Sequence, residues 1–412
     1  MHKKTRKRLF YISIFIFAIL SAVVVLFSLG YKYDFVNNKI VKTGSFRVAT
    51  NHSGAEIYIN YRLAGKTSFL SNNFSKGGFL PRTYDIRVEK DGYIPWEKKI
   101  TIESGFFTDF PAIVLMRDDL AFVLTASASS RFGNPWLGFD ENSGFAYLGE
   151  RQGGNKPVSF AVRAVGGGEV AGGFDVPLSV INKNPIIFDK NFYFIDKAGL
   201  YVYDTGLGQT RLLSAGVKSF SIDRDRFMVA DLGDNLTYSI KIKTGNDRKD
   251  IAEISTGYSF KKAITVGGSY YFILSNNSGN ALFEFKNGGW LKIKDGVSDV
   301  SLSPDNKKIA YFTDREVWVR WILPTSSQPT RLAGDEEFIT RFSSKISQSF
   351  WYKDSEHLLI KTGDILKFIE IDGRGGNRNI IDLADIGFGQ FVYKNNLIGI
   401  LNGSSLFLLN IE

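Results

Sequence analysis

"VSDVSLSPDNKKIAYFTDREVWVRWI" (residues 297–322) holds three apolar runs separated by two polar turns. Val300 and Leu302 close the first run, Ile309 to Phe312 form the second, and Val317, Val319 and Trp321 alternate with polar residues in the third. Alternation with period two places one sheet face against a core and the other against water. Ser303 to Lys307 is rich in turn formers, so the stretch reads as consecutive strands of one antiparallel sheet.

The same order of strand, turn, strand, turn, strand recurs along the chain from Leu120 onward. Close copies are "SFSIDRDRFMVADLGDNLTYSIKI" (219–242) and "QSFWYKDSEHLLIKTGDILKFIEI" (348–371). Looser copies occupy 134–149, 185–204, 263–285 and 389–411. Anchored on the first strand of each copy, the repeats start at Trp136, Ile186, Phe220, Ile264, Val300, Phe350 and Phe391. Their spacings run from 34 to 50 and average about 42 residues, the period of a β-propeller with about four strands per blade. A single blade cannot cover its own faces, whereas neighbours in a ring can. The last copy has three strands before Glu412, and Leu120–Thr125 is a spare strand ahead of the first. Pairing of the two would latch the ring and remove an open edge, which predicts seven blades, with six as the alternative. Residues 117–412 are assigned to this ring.

Leu302-Ser303-Pro304-Asp305-Asn306-Lys307-Lys308-Ile309-Ala310-Tyr311 resembles the repeat of TolB-like and WD-type propellers, with Asn306 where glycine is usual. A turn requiring positive φ tolerates asparagine.

Ahead of the ring, residues 44–116 contain shorter alternating runs. Phe46 and Val48 flank Arg47, Ile57 and Ile59 flank Tyr58, and Asn60 to Gly65 reads as a turn. Tyr84–Lys90 and Trp96–Ile102 form the arms of a hairpin around Asp91-Gly92, and Ile113 and Leu115 close the region. About seventy residues of this kind make a small β-sandwich. The segment resembles a PEGA domain through Gly54-Ala55, Gly65 with Thr67, Tyr84, Val88, Lys90, Gly92-Tyr93 and Trp96. It departs at turns: His52-Ser53, Ser68 and Arg82 replace the usual Pro-Glu, Pro and Gly. The resemblance implies a spacer or binding module outside the cell, without a catalytic centre. Tyr93 and Trp96 either stack on a sugar or pack at the hairpin base, and packing is the expectation.

Residues 9–29 ("LFYISIFIFAILSAVVVLFSL") carry no charge, proline or glycine. Twenty-one helical residues cover about 30 Å, the hydrocarbon thickness of a bilayer. Lys3, Lys4, Arg6, Lys7 and Arg8 precede them, so residues 1–8 are expected in the cytoplasm and the remainder across the membrane. A cleaved signal peptide, with Ser28-Leu29-Gly30 as its site, and a buried core helix are the alternatives. The apolar run exceeds the usual signal length. Residues 30–43 read as a short stalk.

The 412 residues are 44% hydrophobic and 23% charged, with 41 glycines, 35 phenylalanines and no cysteine. Thiolate chemistry, disulfides and cysteine-based zinc sites are therefore excluded. Of the net charge of +9, five positive charges fall in residues 1–30, which contain no acid. The rest is too nearly balanced for the dense basic stripe of a nucleic-acid binder, and no nucleic-acid partner is expected.

Other motifs fail on spacing. His2, His52 and His357 form no zinc pattern. Gly65-Lys66-Thr67 lacks the upstream glycine of a phosphate loop, because position 60 is Asn. The glycine pattern at Gly206 and Gly208 ends in Arg211, and "VGGGEVAGG" (165–173) reads as a blade loop. Asp140, Asn142 and Gly144 lack the distal Glu of a calcium loop. No G-x-S-x-G elbow is present. Asp223 and Asp225, beside Arg224 and Arg226, read as a solvated loop.

The sequence thus predicts an all-β ectodomain, a small PEGA-like β-sandwich plus a seven-bladed β-propeller, behind one transmembrane helix in the cell membrane. No catalytic, metal or cofactor residue is assigned and no binding residue is named. The expected role is non-enzymatic: the helix contacts the lipid bilayer through residues 9–29, and the ring presents loops to a protein or a cell-envelope glycan. One alternative is an enzyme on an envelope polymer, with an acidic pair in the ring's channel. Another is a structural part of a larger envelope complex.

Overall fold

The computed structural model describes residues 3–127, 136–140, 145–151, 155–165, 173–223, 226–232, 237–244, 247–255, 257–325, 328–394 and 396–411. The chain divides into two units. One comprises Met1–Asp119, Ser326–Pro329 and Gly373–Asn379, and the other Leu120–Thr325, Thr330–Asp372 and Ile380–Glu412.

The first unit begins with helix α1 (Lys3–Ser28). Its segment Arg6–Ser28 is long and apolar enough to cross a bilayer, and its membrane-length window is unburied. Two strands follow, β1 (Tyr31–Asp34) and β2 (Lys39–Lys42), paired antiparallel with Tyr33 opposite Ile40. The stretch expected as a stalk is thus a hairpin. Arg82 reaches the buried Asp34 carboxylate at 3.3 Å, and Lys32 Nζ donates to the Gly78 carbonyl at 2.7 Å. Asp34 also accepts from Val36 N and Asn37 Nδ2, and the Asn37 bond holds its carboxyl below the usual range, against a smaller opposing effect of burial.

The sandwich contains β3 (Gly44–Thr50), β4 (Glu56–Ile59), β5 (Arg62–Lys66), β6 (Asn73–Phe79), β7 (Arg82–Glu89), β8 (Trp96–Ile102) and β9 (Phe107–Ile113). One sheet has the order β6-β3-β9, the other β5-β4-β7-β8. β3 and β9 run parallel, and Arg47 grips Asp109 across that pair with two bonds of 2.9 and 2.6 Å. Phe46, Val48, Ile57, Ile86, Val88, Trp96, Ile100 and Ile102 fill the space between the sheets, as their alternation requires. Gly44 has to be glycine: a Cβ there would lie 2.5 Å from the Glu103 carbonyl oxygen. The turn expected over Asn60–Gly65 is shorter. Only Asn60 and Tyr61 turn, both with positive φ, and Arg62 already pairs with Ile59.

The second unit consists of seven four-stranded antiparallel sheets among the described residues. The first six blades run consecutively in sequence, and their innermost strands are Trp136–Asp140, Ile186–Phe188, Val217–Asp223, Ser259–Val266, Val297–Leu302 and Ile346–Trp351. The seventh takes Gln390–Lys394, Leu397–Asn402 and Ser405–Asn410, and its fourth strand is Phe122–Ser127 from the start of the unit. All seven anchor residues named from the repeat fall on innermost strands. The ring is a seven-bladed β-propeller, latched by the spare strand. Asn306 has φ 59°, as its place in the SPDN turn demands.

Apolar cores lie at the seams. Phe160 and Val162 of the first blade pack with Phe192 and Phe194 of the second. Phe312 and Val319 of the fifth pack with Leu358 and Ile360 of the sixth. Leu401 and Leu406 of the seventh meet Ala146 and Leu148 of the first. Each face is therefore covered by the next blade, the physical reason a lone repeat would not fold.

Candidate binding site in the propeller channel

Inner strands of six blades line a cavity of about 890 Å³. Its wall includes Gly138, Phe139 and Asp140 from the first blade, Ile186 from the second, Ser221 and Asp223 from the third, Lys261 and Lys262 from the fourth, Ser301 and Ser303 from the fifth and Gln390 from the seventh.

The polar groups of this wall stitch neighbouring blades. Asp140, fully buried, accepts the Lys190 N–H of the second blade at 3.3 Å. Asp223 accepts the Thr265 N–H of the fourth at 2.9 Å. Ser221 Oγ accepts the Ala263 N–H, and Lys262 pairs with Asp299 of the fifth blade at 2.6 Å. Gln348 on the sixth blade exchanges two bonds with the Phe391 backbone on the seventh. Asp223, read from sequence as part of a solvated loop, is instead half-buried at the end of an inner strand and spans a seam. Asp225, Arg224, Asn142 and Gly144 lie outside the described residues, as do His2 and most of the 165–173 glycine run. Among the described residues no cluster of three or more His, Asp or Glu side chains stands ready for a metal ion.

His357 is buried in the sixth blade, stacked on Phe368 at 4.6 Å, with Nδ1 2.7 Å from Asp354. Lys308 of the fifth blade reaches Glu356 beside it at 2.6 Å. Burial alone pushes the imidazole down, but the Asp354 carboxylate, with Glu370 and Glu356, outweighs it and raises His357 above the ordinary 6.5. A raised pKa favours the folded state while the ring is protonated. Its contribution is full below pH 6.5 and is lost as pH rises through the folded pKa. We expect the melting temperature to fall between pH 6 and pH 9 by more in the wild type than in His357→Gln, measured by calorimetry in matched buffers. Parallel curves would remove His357 from the account.

In the PEGA-like unit, Trp96 is 3% exposed and meets Phe110 edge-on at 5.5 Å, so it belongs to the core rather than to a sugar platform. Tyr93 is half-buried against His52. Lys66 pairs with Glu56, and buried Thr67 Oγ1 accepts the Ala55 N–H at 2.9 Å. Gly65-Lys66-Thr67 is thus a strand end and a turn pin. Thr67→Val should cost about 1–3 kcal/mol, the usual cost of a buried N–H left without its acceptor, read from urea midpoints. An unchanged midpoint would show that the turn closes without Thr67.

Residues 43–110 match the family model described as the PEGA domain, so this segment is a PEGA domain and the chain joins it to a seven-bladed propeller. No curated protein sequence matches the chain. Among solved structures, Hsv2 of Kluyveromyces lactis aligns at 15% identity over 66% of this chain and 91% of that one, with a TM-score of 0.42. TolB from Acinetobacter baumannii aligns at 13% identity over 65% and 80%, with a TM-score of 0.33. Hydrazine synthase of Kuenenia stuttgartiensis aligns at 10% identity over 70% and 99%, with a TM-score of 0.42. Such distant likenesses carry no functional assignment, and the propeller rests on its own seven sheets.

Proposed function

We propose that this protein is a single-pass membrane protein that holds a binding scaffold outside the cytoplasm, with residues 1–8 inside and the PEGA domain and ring outside. The ring presents its channel mouth and blade loops to a protein or a glycan of the cell envelope. The observation that carries the reading is the exposed apolar helix Arg6–Ser28, which leads through a tied hairpin into a PEGA domain. An anchor joined to a structured hairpin acts as a mount for the domains C-terminal to it.

The chain has no cysteine, so single cysteines report topology cleanly. In intact cells, a cysteine at Phe388 should react with a membrane-impermeant maleimide, while one at Lys4 should react only after lysis. The reverse pattern would overturn the orientation, and release of the chain into the medium would overturn the anchor. Capture of one envelope protein or glycan by the detergent-extracted full chain would support the scaffold reading. Turnover of envelope glycans that disappears in Asp140→Asn or Asp223→Asn, with the fold intact, would replace it by the enzyme reading.

A further inference from the structure

The hairpin after α1 carries an apolar face that the PEGA domain does not cover. Tyr33 and Ile40 stand opposite each other across β1 and β2 and are both exposed. At the tip, Phe35 and Val36 are 82% and 76% exposed, and Phe35 meets the Tyr33 ring edge-on at 4.9 Å. The other face is occupied: Lys32 and Asp34 bind Gly78 and Arg82. A second apolar pair stands at the hairpin base. Ser104 Oγ donates to the Lys42 carbonyl at 2.9 Å, and Phe106 and Phe107, both about half exposed, follow in that turn.

The base of this hairpin adjoins the place where the helix ends. Thr43 N and Oγ1 both bond the Gly30 carbonyl, two residues past Ser28, so the hairpin base closes on the helix terminus. Lys32 Nζ lies 5.9 Å from the Phe27 ring. Lys39 and Lys42 are exposed on β2, whereas Asp34, the only acid of the hairpin, is buried and paired. Tyrosine, phenylalanine and lysine at a helix exit are the residue types of the membrane–water interface. Their rings sit at headgroup depth and their ammonium groups meet lipid phosphates.

We infer that Tyr33, Phe35, Val36, Ile40, Phe106 and Phe107 form an interfacial collar that rests in the headgroup layer of the bilayer around the end of α1. Lipid is the occupant because the patch continues the apolar surface of the helix and carries lysines of the sign that anionic headgroups attract. The inference rests on the anchor reading of α1. The collar adds a second contact with the membrane and restrains the tilt of the PEGA domain that the helix alone would leave free.

The test uses the full chain in vesicles of phosphatidylcholine and phosphatidylglycerol. An environment-sensitive dye is placed singly through Phe17→Cys, Phe35→Cys, Ile40→Cys and, as a water-exposed reference, Phe388→Cys. Phe35 is at an exposed tip, so its substitution leaves the core alone, and Ile40 repeats the measurement on the other strand. Nitroxide lipids labelled near the headgroup should quench the dye at positions 35 and 40 more strongly than either deep acyl-chain nitroxides or aqueous iodide does, as expected for groups within the interface. Position 17 should answer to nitroxides deep in the acyl chain and position 388 to aqueous iodide. Quenching at 17 by lipid with 35 and 40 open to iodide would overturn the collar and leave the anchor standing. Iodide quenching at 17 as well would overturn both. Shielding of 35 and 40 from both quenchers would mean that a second copy or another protein covers the face, and would also overturn the collar.

Discussion

A chain ending at Ser404 should fail to form a closed ring. Residues 405–410 are the third strand of the last blade, and they alone hold the latch strand Phe122–Ser127. Leu406, Leu409 and Ile411 are fully buried, and Leu406 packs with Ala146 and Leu148 of the first blade. Each buried aliphatic side chain contributes about 1.5–3 kcal/mol, and their sum is comparable to the whole stability of a typical domain, about 5–15 kcal/mol. Losing them also bares the edge of Leu397–Asn402 and leaves the seam between the first and last blades without Leu406. The expected result is loss of the cooperative urea transition of the ring and rapid proteolysis within it. Removing the latch strand instead should be milder, because Val123 and Leu124 are 61% and 57% exposed and cover an edge rather than a core. A truncated chain with an unchanged urea midpoint would mean that the ring holds without its closing blade.

The second large effect is expected at Arg320. Its guanidinium bridges Glu284 of the fourth blade at 3.1 Å and Glu336 of its own at 2.9 Å, and Nη1 also donates to the Gly334 carbonyl. Arg320 and Glu284 are only 13% and 12% exposed as side chains. Removing one partner of a buried pair leaves the other charge stranded, at about 3–5 kcal/mol. Arg320→Met should therefore lower stability by that amount, and Arg320→Met with Glu284→Gln should recover part of it. Tyr271, whose hydroxyl donates to Glu284 at 3.0 Å and whose pKa is pushed up to about 12 first by burial and then by that carboxylate, would retain a neutral acceptor in the double variant. A double-mutant cycle on urea midpoints gives the coupling, expected above about 1 kcal/mol for groups in contact. A coupling near zero would show that water already screens the pair.

Local patterns carried much of this architecture, and long-range pairings did not. The repeated apolar runs marked the inner strands of all seven blades, because a strand between polar turns has to bury apolar side chains in the ring. Period-two alternation picked out Phe46, Val48, Ile57 and Val88 as sandwich core. The turn at Asn60 was legible but its extent was not, because a tyrosine at positive φ carries none of the usual turn signature and the reversal is complete by Tyr61. The seam bonds were hidden for another reason. Asp140 and Lys190 are 50 residues apart, Asp223 and Thr265 are 42, and Arg320 and Glu284 are 36. Only the docking of one blade on the next brings such groups together, so Asp223 looked like a loop residue. The interfacial face of the hairpin was similarly concealed, since four-residue strands are too short for a period to stand out.

The latch has a consequence for biogenesis. Residue 122 finds its partner at residue 409, so nearly the whole ring has to be synthesised before the ring can close. At about 5–20 residues per second, that interval is roughly 15–60 s. The seven strands of the PEGA domain, by contrast, end at Ile113, before the first blade begins. During the delay the first blade and the last one formed each present an open seam face, Ala146 and Leu148 among the residues left bare. A holding chaperone is therefore expected to bind nascent chains that end short of the last strand, and to release them once it arrives.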